Sequence, residues 1–176
     1  MRKKVKKLAF RLGKQYIDIM GDYKKANTGG QRNERPLTEE QYNEAKAYAV
    51  SLGMPAGRIV YSDFALTGYM SGDFELLRIG TDVLPTGQRV RNPNSNISLK
   101  GVIAHEIVGH REASLKGFTQ SDDLLEEAQA SIRAARFAPG LDCLERTDLI
   151  KDAISRLRNG QKLLREEKHK LYINER

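Results

Sequence analysis

Ala104-His105-Glu106-Ile107-Val108-Gly109-His110 holds two of the chain's three histidines, five residues apart, with a glutamate directly after the first. The run lies within Ser98 to Lys116, whose apolar spacing predicts a helix ending at Gly117. Two histidines four apart on a helix share a face. A glutamate beside the first then serves as general base in the H-E-x-x-H arrangement that binds zinc. Here the second histidine comes one residue late. On a regular α-helix, residues five apart are turned about 140° from each other, too far to grip one ion. A π-bulge absorbing one residue restores the shared face. Gly109, directly before His110, tolerates bulged dihedrals at least cost. The run therefore predicts a bulged helix with His105 and His110 as candidate ligands and Glu106 as candidate base.

A catalytic zinc site needs a third protein ligand and keeps a fourth position for water. Downstream, Leu125-Glu126-Glu127-Ala128-Gln129-Ala130 offers a glutamate pair on a second predicted helix. The turn at Gly117–Gln120 lets that helix fold back antiparallel. Its small residues Ala128, Ala130, Ala134 and Ala135 permit the close backbone approach that a shared ion demands. Asp123, one turn before Glu127, reads either as an outer partner for a ligand histidine or as a first-turn acid favoured by the helix dipole. An oxyanion donor is also needed. Tyr69, Arg133, Arg136 and His169 are candidates among which the sequence does not choose. For Arg133 and Arg136 the favoured reading is surface salt bridges, and for His169 plain surface. Phe118, Phe137 and Leu141 are expected to pack the two motif helices, and Cys143 to be a small buried apolar residue.

HEIVGH resembles the HExxGH motif of dipeptidyl peptidase III and its relatives, gluzincin-type metallopeptidases with one residue inserted in the usual zinc helix. Their downstream EExxA motif is matched by Glu126, Glu127 and Ala130. The resemblance implies a Zn2+ cofactor held by His105, His110 and Glu127, with Glu126 as the fallback ligand and Glu106 as the base. It covers residues 104–110 and 126–130 and the helices around them. Ser131 stands where the family has an acidic residue after the alanine, and this chain is far smaller than those peptidases. In size and basic N-terminus it is similar to metallopeptidase-like domains at the C-termini of bacterial polymorphic toxins. That likeness implies an effector role, a peptide or protein substrate, and an immunity or carrier protein as partner.

The surrounding elements read as α+β. Thr38 and Gln41 form a capping-box pair for a helix reaching Leu52. Short β-like runs follow at 58–61 and 74–79, the second extending towards Val83. An edge strand at 74–80 would pair with an extended peptide. Ser121 is the expected cap of a helix over 122–137, and Asp142 with Glu145 of one over 143–158; a last polar helix is expected at 161–172. With the family resemblance, this implies a zincin-like fold, a small N-terminal sheet followed by a helical half that carries the metal helix. Residues 3–20 read as a basic amphipathic helix and 27–33 as a linker, so the division is 1–35 and 36–176.

The chain has 176 residues, 39% hydrophobic and 30% charged, a globular balance. The net charge of +7 is concentrated at the start: residues 1–35 hold 11 Lys/Arg against 3 Asp/Glu, the remainder 19 against 20. Nucleic acid is thus disfavoured as a partner of the main domain. No apolar run reaches membrane-spanning length. The single cysteine excludes an intrachain disulfide and a thiolate metal cluster. The basic start lacks a following apolar region, which predicts a cytoplasmic protein or one exported without a classical signal peptide. Three rival functions stand beside zinc peptidase: a non-catalytic zinc-stabilised interaction domain, a nucleic-acid-associated protein using residues 1–35, and a zinc hydrolase of non-peptide amides.

Overall fold

A computed structural model describes residues 31–176. The amphipathic helix expected at 3–20 lies outside the described residues. The architecture is mixed α+β. Helix α1 (Glu39–Ser51) opens on the expected capping box between Thr38 and Gln41. Strands β1 (Ile59–Ser62), β2 (Gly68–Met70) and β3 (Leu76–Gly80) form one sheet in the order β1-β3-β2. β3 runs parallel to β1, with Ile59 opposite Leu77, and antiparallel to β2, with Tyr69 opposite Leu77. The sequence reading made the 74–80 run an edge strand; it is the central one, and β1 and β2 are the edges. Leu77 and Ile79 on β3 are fully buried, as a central strand covered on one face requires.

The metal-motif helix begins as α2 (Leu99–Ala104), capped by the Ser98 hydroxyl, which accepts from the Gly101 amide. It becomes π-helical over His105–Arg111 and ends as α3 (Glu112–Leu115). In that winding each turn takes in the extra residue, so positions five apart stack on one face. Helix α4 (Asp123–Phe137) returns across it. Its cap is Asp122, not the expected Ser121: the Asp122 carboxylate accepts from the Leu124 and Leu125 amides. Helix α5 (Cys143–Asn159) starts at the expected Asp142–Glu145 capping box. Cys143 itself is exposed, not buried, because the first turn of α5 turns that position outward.

Two apolar clusters result among the described residues. One joins α1, the sheet, α2, the π-helical segment and the end of α4; Leu141 lies in it and Phe137 packs against it. The other holds α4 and α5 together around Leu125, Ile132 and Leu157, and takes in Leu171 and Ile173 from the C-terminal tail. Burying that pair displaces the helix expected at 161–172. Only α6 (Leu164–Glu167) and a short 3-10 turn, Lys168–Lys170, form before the chain extends. Phe118 is half-buried beside α4, with the Arg133 guanidinium 5.5 Å from its ring centre, and it stacks on Tyr172, centroids 4.7 Å apart.

Gly109 explains how close the helices come. A methyl group there would meet the carbonyl oxygen, Cβ and Cα of Ala130 at 2.6, 2.7 and 2.8 Å. Its φ is not in the left-handed region, so close approach of α4 demands glycine here, not unusual dihedrals. Gly109→Ala is expected to destabilise the fold by about 1–3 kcal/mol, the usual cost of overpacking against backbone. Urea denaturation measures it, and unchanged stability would refute so tight a contact.

Candidate metal centre

The π-helical segment brings His105 and His110 edge-to-face, ring centroids 4.7 Å apart. Their Nε2 atoms are 3.0 Å apart. Glu127 on α4 reaches both, Oε2 at 3.3 Å from His105 Nε2 and Oε1 at 3.5 Å from His110 Nε2. The three residues form one compact group of potential metal ligands.

The outer nitrogens determine what the inner ones present. Ser131 spends its only proton on Asp152 Oδ2, at 2.9 Å, so its oxygen accepts from His105 Nδ1, at 3.0 Å. His110 Nδ1 faces Glu126 Oε1 at 3.4 Å, and a carboxylate only accepts. Glu126 is held in turn by the Gln120 amide at 2.8 Å. Both rings therefore carry their proton on Nδ1 and aim an Nε2 lone pair at the same point. Two such lone pairs beside a carboxylate can share a metal ion or a proton between them.

The two Nε2 atoms are 3.0 Å apart, each faces a different oxygen of Glu127, and one donor atom from each of the three residues lies within 4.8 Å of the others, a spacing that one ion can draw together. The donor set, two imidazoles and a carboxylate, fits zinc. The geometry also separates the glutamate pair: Glu127 faces the Nε2 atoms, and Glu126 serves the outer nitrogen of His110. Asp123 is exposed and takes no part; the outer partner of His105 is Ser131.

Arg156 on α5 completes the inner network. Its Nη1 is 2.6 Å from Glu127 Oε2 and its Nε donates to Asp152 Oδ2 at 2.7 Å. The guanidinium thus bridges two carboxylates. Neither Arg156 nor Asp152 was singled out from the sequence. The available signal was a polar stripe at Asp148, Asp152 and Arg156 beside the apolar Leu149, Ala153 and Leu157, a stripe that is buried as well.

Glu106 lines a cleft of about 470 Å³ with His105, Glu127 and Arg156. Its Oε2 accepts from the Tyr69 amide of β2 at 2.8 Å. The Tyr69 hydroxyl donates to Glu75, which also receives both arms of Arg111 at 2.8 and 2.9 Å. The opposite wall is the 63–67 loop, including Phe64 and Leu66. Thr67 fastens this loop to Asp82 by two bonds, of 2.7 and 2.8 Å. Gly80 lets it cross β3, since a Cβ there would lie 2.1 Å from the Ala65 carbonyl oxygen. Gln31–Asn33, read as linker, also line the cleft. Arg32 donates to the carbonyls of Asp82, Val83, Asn94 and Ile97.

The other oxyanion candidates lie elsewhere. Arg133 is not a surface residue: it is 0% exposed and donates to the carbonyls of Val108, Tyr172 and Glu175, tying the tail to the motif helix. Arg136 bonds Asn174 and His169 is exposed.

Burial disfavours a charged His110, but bonds to Glu126 and Glu127 and the charges of Glu127 and Glu106 outweigh it and push its pKa up to about 10. Glu127 follows the same logic: burial raises its pKa, yet the two histidines hold it well below the usual range. In the metal-free protein a proton thus does the cation's work. Since the His110 value stands above the ordinary 6.5, this pairing stabilises the metal-free fold fully below that pH and is lost as pH rises through about 10. Zinc must displace the proton. Calorimetric titrations at pH 8 in buffers of different ionisation enthalpy are expected to show about one proton released per zinc; no release would mean a neutral His110.

No protein-family model, curated protein or solved structure matches the chain. The chemistry of the site is therefore read from its own geometry.

Proposed function

We propose that the protein is a zinc-dependent hydrolase that cleaves peptide bonds on a zincin-like scaffold. The convergence of two Nε2 lone pairs and the Glu127 carboxylate on one point carries this reading. A zinc ion held by His105, His110 and Glu127 would supply a water with its pKa lowered towards ~7. Glu106 shares the cleft without being needed as a ligand. That is the position of a base that takes the water's proton and returns it to the leaving amine. A structural zinc site has no use for such a group. β2 supports the substrate class: it is the sheet edge beside the cleft, and its Tyr69 amide already meets Glu106. An extended chain can add to such an edge. The cleft volume falls within the range of small-ligand sites, about 300–1,000 Å³, enough for a few side chains around a scissile bond.

The test is a mixture of unstructured peptides incubated with zinc-loaded protein, with new termini identified by mass spectrometry. Cleavage abolished by a chelator and restored by zinc is expected. A zinc-loaded protein that generates no new termini would refute the peptidase reading.

A further inference from the structure

We infer that Asp152 is a positioning residue for the metal centre, acting on His105 through the Ser131 hydroxyl. The inference rests on the zinc reading above and deepens it. Metal-bound histidines generally donate their second nitrogen to a carboxylate or carbonyl, which fixes the ring and makes the ligating nitrogen more basic. His110 has Glu126 for this purpose. His105 has only a hydroxyl, a weak acceptor by itself. That hydroxyl is not free to rotate: it donates to Asp152 Oδ2 at 2.9 Å while accepting from His105 Nδ1 at 3.0 Å. The hydroxyl relays the carboxylate's charge across one link, from α5 to the π-helical segment.

Asp152 is a costly residue to keep for packing alone. It is 1% exposed, and its Oδ1 is buried with no hydrogen-bond partner. Both of its bonds fall on Oδ2, from Ser131 and from Arg156. A buried polar atom left unsatisfied opposes folding, and an apolar side chain at this position would avoid that cost. Asp148, one turn earlier, is as deeply buried but receives both arms of Arg89, at 2.9 and 2.6 Å, away from the histidines. It provides a control with the same helix, the same chemistry and no path to the metal.

Zinc affinity measured by competition with a chromogenic chelator separates the alternatives. Asp152→Asn and Ser131→Ala are each expected to weaken zinc binding about 10- to 100-fold, the usual effect of losing an outer partner. Asp148→Asn is expected to lower the melting temperature and leave the affinity unchanged. The cobalt-substituted protein is expected to show a shifted visible spectrum in the first two variants and not in the third. If Asp152→Asn does not fold, Ser131→Ala, which deletes one oxygen, decides alone. Wild-type zinc affinity in Ser131→Ala or in a folded Asp152→Asn would overturn the inference and leave the zinc reading intact. An unmodified protein that binds no zinc would overturn both.

Discussion

Glu106→Gln is expected to lower kcat for peptide hydrolysis by about 10²–10⁴, the contribution of a positioned general base, with zinc still bound. The retention follows from geometry: three other side chains converge on the metal position. The amide oxygen of glutamine can still accept from the Tyr69 N–H that Glu106 now engages, so β2 stays in place. What disappears is the capacity to take a proton. KM is therefore expected to change little. Steady-state kinetics on zinc-loaded protein, with the metal content of the same sample measured, reads both quantities. Turnover within a few-fold of the unmodified protein would remove Glu106 as the base.

The adjacent glutamates are expected to separate sharply. Glu127→Ala removes the proposed carboxylate ligand and leaves Arg156 without that partner, 2.6 Å away in the intact site. Its loss of zinc affinity is expected to exceed the about 10- to 100-fold attached to an outer partner. Glu126→Ala deletes the acceptor for His110 Nδ1 and for the Gln120 amide, neither of them a bond to the ion, and is expected to stay within that range. Chelator competition on both variants gives the order. Equal losses, or a larger loss in Glu126→Ala, would reverse the assignment.

Much of this centre was legible in the sequence because local rules dominate it. The i+5 spacing forces a choice between no shared face and a π-helical one, and His105–Arg111 is π-helical. The caps at Thr38 and Asp142 are short-range and were legible too, whereas Asp122 was displaced by its neighbour Ser121, since either side chain can cap. What escaped were features that depend on tertiary pairing. β2 spans three residues, Gly68–Met70, too few for a period, and only its pairing makes it an edge. Arg133 looked solvent-facing because charged residues usually are; its burial is decided by carbonyls 25 to 42 residues away. Asp152 and Arg156 belong to the site only because α5 packs along α4. Ser131 was visible as a departure from the acidic residue that the motif resemblance implies. The carboxylate near that position comes from another helix.

The central claim is that His105, His110 and Glu127 hold one zinc ion. Elemental mass spectrometry on untagged protein purified without added metal, before and after zinc reconstitution and dialysis, tests it most directly. The expected result is one zinc per chain, falling to near zero in the double variant His105→Ala/His110→Ala. Zinc far below one per chain after reconstitution of a folded protein would contradict the account.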